Sequence, residues 1–467
     1  MGLDQDIQPV PMRRDVAEVV GGLRATFASG RTRPAEWRIA QLRGIERFVV
    51  EREDEIADAL AADLGRAAFE AWTLDMSPVR IEAAYVRARL RRWMRRSMRP
   101  IPSALMPAVG WVQYEPVGVV LVIGAWNAPM TLALWPLIDA VAAGNCVVLK
   151  PSELAPATSR LLARRLPEYV DPDAVVVVEG DGSATQRLLA QGVDHCLYTG
   201  GTEVGRKVMA AAAPQLTPVT LEMGGKSPAI VASDADLDVT ARRIAWAKLL
   251  NAGQVCIAPD YLLVERAVRE PLLERLVTTM ARFRSAAATP GMRIVNERHF
   301  DRLAGQLAAT RATVVAGGGV DRSTLTVEPT VLVDPPADDP LMTDEIFGPV
   351  LPVLAVDSVD EAIDFVTERP KPLAAYVFTR SKEVRRRVLD EVTAGAIVVN
   401  HLIYHASVPQ LPFGGVGPSG MGRYRGRDGF VTFSNRKAVL VKPFRPDFRF
   451  AYPPYTDRAQ AIIRRLL

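Results

Sequence analysis

Cysteine is scarce in this chain. There are three in 467 residues, Cys146, Cys196 and Cys256, and no two share a metal-ligand spacing. An odd, scattered set excludes a disulfide framework and fits a reducing compartment. Histidine is scarcer for its size class, with four residues, so no metal site is expected. Charge of one sign is missing too: 57 basic residues face 53 acidic ones, for a net charge of +4. That balance gives no reason to expect a nucleic-acid partner. Long apolar runs are absent. The longest, residues 117–126, contains Gly118 and Gly124 and is far too short to span a bilayer, so no integral membrane segment is expected. Met1 to Val10 has no apolar core of a signal peptide. Met1-Gly2 resembles an acylation start, but position 6 is Asp6 rather than Ser or Thr. A cytoplasmic location follows as the expectation. No Walker pattern occurs. The single G-x-G-x-x-G, Gly415 to Gly420, follows Leu411-Pro412-Phe413 rather than a strand and opens no helix. It reads as a backbone turn beside a ligand or an interface, not as a dinucleotide fingerprint.

What is present is a long, ordinary globular chain. Hydrophobic residues make up 49% and charged residues 24%, and the length requires two or more domains. Residues 1–99 read as helical. Ile39, Leu42, Ile45 and Phe48 recur at helical spacing, then Ile56, Leu60 and Leu64, with Gly65 as a stop. Residues 80–99 are dense in Arg around Ile81, Tyr85, Leu90 and Trp93, and read as a solvated helix face. Pro100, Pro102 and Pro107 close this region. From Trp111 the period changes. Continuous β-branched runs at 117–123, 146–149, 175–178 and 196–198 alternate with helical patterns at 136–143, 157–169 and 184–191. Such alternation predicts βαβ units and a doubly wound parallel sheet. Its ligands bind beyond the carboxyl ends of the strands, here 124–127, 150–153, 180–182 and 199–205. A second α/β block spans 224–401, with strands at 229–231, 261–264, 313–315, 330–333, 350–356, 374–378 and 396–399. The tail from Gly414 is Gly-rich, then strand-like at 438–441, then polar with a short helical end.

The chemistry centres on Asn251-Ala252-Gly253-Gln254-Val255-Cys256. A helix is predicted before it, with Ser233 as N-cap, Asp234, Asp236 and Asp238 in the first turn, and Gly253 as the stop. A strand follows at 261–264. Cys256 therefore sits in a tight connection that suits a nucleophile, although a lone Cys is more often a small buried hydrophobe. Thr199-Gly200-Gly201-Thr202-Glu203-Val204-Gly205 follows a strand and opens a helix, as a pyrophosphate site does; a plain glycine turn explains it equally well. Lys150 and Glu153 end another strand and could hold ribose hydroxyls, or simply frame a helix start capped by Ser152. Glu222 precedes two glycines at the junction of the blocks, where a carboxylate can act as general base. Glu345 and Phe347 share one turn. The Asn127 amide could donate to an oxyanion. Singly, each is more often structural.

Together these stretches resemble the NAD(P)-dependent aldehyde dehydrogenase superfamily, and most closely its class 3 branch of aromatic and fatty aldehyde dehydrogenases. The matching segments are Gly124-Ala125-Trp126-Asn127, Val148-Leu149-Lys150-Pro151-Ser152-Glu153, Tyr198-Thr199-Gly200, residues 217–228 around Leu221-Glu222-Met223-Gly224-Gly225-Lys226, residues 253–261 around Cys256, residues 345–352 and Leu411-Pro412-Phe413-Gly414-Gly415. They stand in the family's order over residues 35–455. The resemblance implies an aldehyde dehydrogenase-like α/β fold. Its Rossmann-type NAD(P)-binding domain would take 1–97 and 114–222, its catalytic domain 223–412, and its small oligomerisation element 98–113 and 413–467. It implies oxidation of an aldehyde, aromatic or medium- to long-chain, to the carboxylic acid. Cys256 would attack the carbonyl, Asn127 would hold the oxyanion, and Glu222 would activate water against the thioester. Lys150, Glu153, Gly200, Gly205, Glu345 and Phe347 would hold NAD, with NADP as the second cofactor. A homodimer is implied, with a small-molecule aldehyde as substrate. Some eukaryotic relatives add a hydrophobic anchor, which Arg464-Arg465-Leu466-Leu467 does not resemble. The alternatives are a CoA-acylating relative, against which Glu222 speaks, and a retired binding protein on the same fold. Two departures stand out: Gly201 replaces the family's Ser, and Ala128 replaces a class 3 aromatic. The second suggests a wider substrate funnel, which residues 400–405 would also line.

Overall fold

Two largely parallel sheets organise the chain, and their carboxyl edges carry the residues singled out above. The computed structural model describes residues 15–286 and 293–466; the readings of Met1 to Val10 and of Asp6 lie outside the described residues. In the first sheet Val119–Ile123 is central. Cys146–Lys150 and Val175–Val177 lie on one side, and His195–Thr199, Val219–Glu222 and Gly420–Met421 on the other. All pairs are parallel except the last. Every residue of the first two strands is buried, which is why they read as unbroken apolar runs rather than alternation. Val119 and Leu121 face the helix Val16–Ala28. Val120 and Val122 face the cluster built with Thr131–Ala143, Ala35–Glu51 and Ser77–Trp93. Both faces are thus covered, as doubly wound sheets require.

The second sheet runs in the spatial order Thr313–Ala316, Thr330–Val333, Val350–Val356, Tyr261–Glu265, Pro228–Val231, Ala374–Phe378, Ala396–Val399, antiparallel only at its first pair. A third, antiparallel sheet joins Ser97–Arg99, Val109–Pro116 and Ser434–Val441. The Gly-rich turn at 415–420 leads into Gly420–Met421, which pairs with Leu221 and Glu222 of the first sheet. A Cβ on Gly415 or Gly420 would strike backbone there, so the glycines serve close chain approach and not phosphate binding.

Three boundaries differ from the sequence reading. The Arg-rich segment is helical only over Ser77–Trp93, and Ser97–Arg99 is a strand. Its face is not wholly solvated, because Glu82 is buried against Arg425 while Arg87 and Arg91 reach Glu46 and Glu36. The helix before Cys256 is Leu237–Leu249, capped by Asp236, whose side chain accepts from the Val239 N–H at 3.1 Å. Ser233 lies in the turn before it, its N–H donating to the Glu265 carboxylate, and Asp234 accepts from Thr379 and Arg380, so Ser233 is not the cap. The helix also stops before Gly253, because Asn251 and Ala252 turn left-handed at φ 52° and 53°.

Candidate active site

Register lines up the candidate residues at one edge of the first sheet. Ile123 pairs with Lys150 and with Tyr198, and Thr199 pairs with Glu222. Gly124, Lys150, Thr199 and Glu222 therefore end neighbouring strands at one level. Beyond that edge Lys150 is buried, and its Nζ donates to the Glu153 carboxylate at 2.9 Å. The Glu153 side chain stays about half exposed. The helix Thr202–Ala212 starts at Gly201, which offers no side-chain cap. A Cβ on Gly201 would meet open space, whereas one on Gly205 would collide with Met223. Its first-turn N–H groups are free for an anion, and the buried Thr199 hydroxyl has no partner. These features fit the pyrophosphate and ribose of a dinucleotide.

The Cys256 loop faces this edge from the second block. After the left-handed turn at 251–253, Gln254 is locked on both ends. Its Nε2 donates to the Asn251 and Arg293 carbonyls at 3.0 and 3.1 Å, and its Oε1 accepts from the Val295 N–H at 3.1 Å. The Gln254 carbonyl in turn accepts the Asn127 side-chain amide at 3.1 Å. Asn127 thus sits two residues from Cys256 through one hydrogen bond, and the second N–H of its amide is not taken by that bond. Cys256 is partly exposed while Cys146 and Cys196 are buried. Desolvation, then the charges of Glu345 and Glu222, push the Cys256 thiol up to about 12, against the pull of its own N–H and that of Ile257.

Glu222 ends the strand Val219–Glu222 and is 2% exposed. Neither carboxylate oxygen has a partner. Burial raises it well above the ordinary carboxylate range, opposed by Arg423. A buried, unpartnered acid is costly and is held here beside a thiol. The turn at 345–349 closes the crevice. Its anchor is Asp260, which pairs with Lys226 and accepts the Ile346 N–H at 3.0 Å. Glu345 lies against Gly224, where a Cβ would strike its carboxylate, and burial followed by Asp260 pushes it up to about 8. Phe347 meets Trp126 edge-on at 5.3 Å, and Trp126 also packs on His299 at 5.3 Å.

The structure therefore brings Asn127, Glu222, Cys256, Glu345 and Phe347 around one crevice, and lines Lys150, Glu153, Gly200 and Gly205 along its adjoining sheet edge. Sequence reasoning missed His299, Tyr424 and Arg66. The Tyr424 hydroxyl is buried without a partner near Glu222 and Cys256. The small number of histidines was the one available signal for His299. Nothing local marks Arg66 or Tyr424.

The crevice sets a sheet edge that fits a dinucleotide beside a thiol, an amide donor and a buried acid, an arrangement that suits an oxidoreductase. A family model described as the aldehyde dehydrogenase family matches residues 9–439. Aldehyde dehydrogenase family 3 member A2 of Mus musculus is 44% identical over 442 residues, 93% of this chain and 90% of the relative. The Canis lupus familiaris protein named aldehyde dehydrogenase, dimeric NADP-preferring, is 41% identical over 444 residues, 94% and 98% of the two chains. A solved structure of the substrate-bound state of Staphylococcus aureus AldH is 36% identical with a TM-score of 0.93, covering 97% of this chain and all of that one. The chain belongs to the aldehyde dehydrogenase family. Its reaction is the NAD(P)-dependent oxidation of an aldehyde. No helix among the described residues is long and apolar enough to cross a membrane.

Proposed function

We propose that Cys256 is the nucleophile of this reaction, with Asn127 and Glu222 as its partners and an aromatic or medium- to long-chain aldehyde as its substrate. The observation that carries the reading is the bond from the Asn127 amide to the Gln254 carbonyl, next to a thiol that shares its surroundings with an unpartnered Glu222. The Cys256 sulfur adds to the carbonyl carbon. The resulting oxyanion accepts from the free N–H of the Asn127 amide and from the Cys256 backbone N–H. When bound, the nicotinamide supplies the hydride acceptor. The acyl group stays on sulfur as a thioester. Glu222 takes a proton from water, the hydroxide adds to the thioester carbonyl, and the Cys256 thiolate leaves with the acid released. Lys150 and Glu153 hold the adenosine ribose, Gly200 and Gly205 admit the pyrophosphate, Glu345 holds the second ribose and Phe347 backs the ring. Glu153 favours NAD, whose 2′-hydroxyl it can accept, over NADP.

The reading extends to the whole chain. The first sheet with the N-terminal helices forms the cofactor lobe, the second sheet the catalytic lobe, and the antiparallel sheet the element that joins two copies. A homodimer is supported by the relative named dimeric, and a cytoplasmic location by three unpaired cysteines. Rapid mixing of Glu222→Gln with NAD and a long-chain aldehyde tests the chemistry. Reduced cofactor is expected in a burst near one per site, followed by turnover slowed about 100-fold or more, with the acyl mass retained on Cys256. Turnover of the variant at the parental rate would point to a different base, and relief of its block by added CoA would point to a thiol as the acyl acceptor.

A further inference from the structure

Arg66 lies between two helices, Glu53–Leu64 and Ala68–Ala71, and its side chain is completely buried. One end of its guanidinium pairs with Asp75, also completely buried. Asp75 belongs to a five-residue π-helical turn, Trp72–Met76, a rare distortion that recurs at functional sites. Its second oxygen accepts the Met130 and Thr131 N–H groups at 3.0 Å each, which fixes where the 124–130 loop re-enters a helix. The other end of Arg66, Nη2, donates to the Asn127 carbonyl at 2.6 Å and to Asn251 Oδ1 at 2.8 Å. Asn251 Nδ2 then donates to the same Asn127 carbonyl and to the Gln254 carbonyl, both at 3.0 Å.

These bonds close a ring. The Asn127 backbone oxygen is gripped twice, and the Asn127 side chain is tied to the peptide that Asn251 also grips. Asn251 reaches both only because it sits left-handed, a conformation that Asn tolerates better than most residues. A fully buried arginine with a carboxylate partner is no bargain for stability alone, since an apolar pair often serves as well. Its geometry is specific, however: a planar fork with Asp75 at one end and two acceptors from separate segments at the other.

We infer that Arg66 is a positioning residue that, through Asn251, sets the angle of the Asn127 amide toward the Cys256 sulfur. The inference rests on the reading of Asn127 as the oxyanion donor. Arg66 touches neither the reacting atoms nor the dinucleotide cradle, so its effect belongs to carbonyl addition and not to cofactor affinity. Lysine keeps the charge, but one ammonium cannot hold Asp75 and the Asn127–Asn251 pair, which sit at opposite ends of the guanidinium.

The test is a double-mutant cycle read as single-turnover hydride transfer at saturating cofactor. Arg66→Lys is expected to slow the step about tenfold or more, within the range seen when a catalytic group is displaced by a fraction of an ångström to 1 Å. The Kd for NAD should be unchanged. In an Asn127→Ala background the same substitution should change the rate less than about twofold, because the group it positions is gone. Asn251→Asp, which keeps the oxygen that Arg66 donates to and loses both amide donors, repeats the cycle should Arg66→Lys fail to fold. Equal losses in the two backgrounds, or a parental rate in both single variants, would overturn the assignment. An Asn127→Ala variant of parental rate would overturn the oxyanion reading itself, and that signature is distinct from an additive cycle.

Discussion

The Cys256 sulfur stands between forces that pull in opposite directions. Desolvation, Glu345 and Glu222 all favour the neutral thiol, while two backbone N–H groups favour the thiolate. The balance pushes the thiol up to about 12, so near neutral pH the free protein holds Cys256 almost wholly as the thiol. The preceding helix gives no help. It ends at Leu249, and a helix carboxyl end disfavours an anion in any case. On the proposed reading of Phe347 as the ring's support, a bound cationic nicotinamide would supply the missing positive charge and lower the pKa. Iodoacetamide should therefore modify Cys256 faster with NAD bound than without it. Without NAD the rate should climb about tenfold per pH unit between 7 and 9, because that window lies wholly below the titration. With NAD the slope should flatten as the titration moves into the window. Equal rates and equal slopes in the two states would remove cofactor charge as the source of activation.

At the level of elements, the nucleophile loop and the cofactor turn meet backbone to backbone. Gly253 has φ 73°, and a Cβ there would run into the Gly348 carbonyl and the Pro349 nitrogen. It follows two residues that are already left-handed, so three positive φ values in a row bend the chain out of the helix and down to Cys256. Alanine at 253 meets both a strained φ and an immovable neighbour. Gly253→Ala should lower the melting temperature by several degrees, since about 1–3 kcal/mol of strain is forced on the fold. It should also weaken NAD binding and slow thiol alkylation together. Loss of only one of these properties would show that loop and turn move independently. The same region shows what could be read in advance. The strands Thr330–Val333, Val350–Val356, Ala374–Phe378 and Ala396–Val399 match the sequence reading residue for residue, because strands of a largely parallel sheet betray themselves as apolar runs. Cys256, Glu222, Asn127 and Glu345 stand in legible motifs; strand register places Glu222, and the bonds from Asn127 to Gln254 and from Ile346 to Asp260 place the others. The helix ends at Ser233 and Gly253 were misplaced. Ser233 and Asp236 are both good caps locally, and the bonds that hold the 233–234 turn, to Glu265 and Thr379, decide between them. Arg66 and the π-turn that presents Asp75 were invisible, since their meaning lies in partners 61 and 185 positions away.

Across the whole molecule, the antiparallel sheet contributes none of the residues assigned to the crevice. Its last strand, Ser434–Val441, pairs with Val109–Pro116 on one side only. Leu440 and Val441 are 59% and 50% exposed, and Val109 beside them is 50% exposed. An eight-residue edge strand with bare aliphatic residues is a template for pairing with another chain. Apolar side chains in this position are the kind that symmetric partners cover. A second copy of the chain is the occupant that the homodimer reading supplies. Sedimentation of the parent protein should then give twice 50.9 kDa, and Leu440→Glu should shift it toward the single chain, because a carboxylate buried without a partner opposes association. Since none of the residues assigned to the crevice lies in this sheet, that variant should retain single-turnover hydride transfer within about twofold of the parent. A Leu440→Glu protein that stays dimeric would move the interface elsewhere on the surface. One that turns monomeric and loses hydride transfer while remaining folded would show that the partner copy props up the crevice from outside, through the tail that brings Gly420 against Glu222.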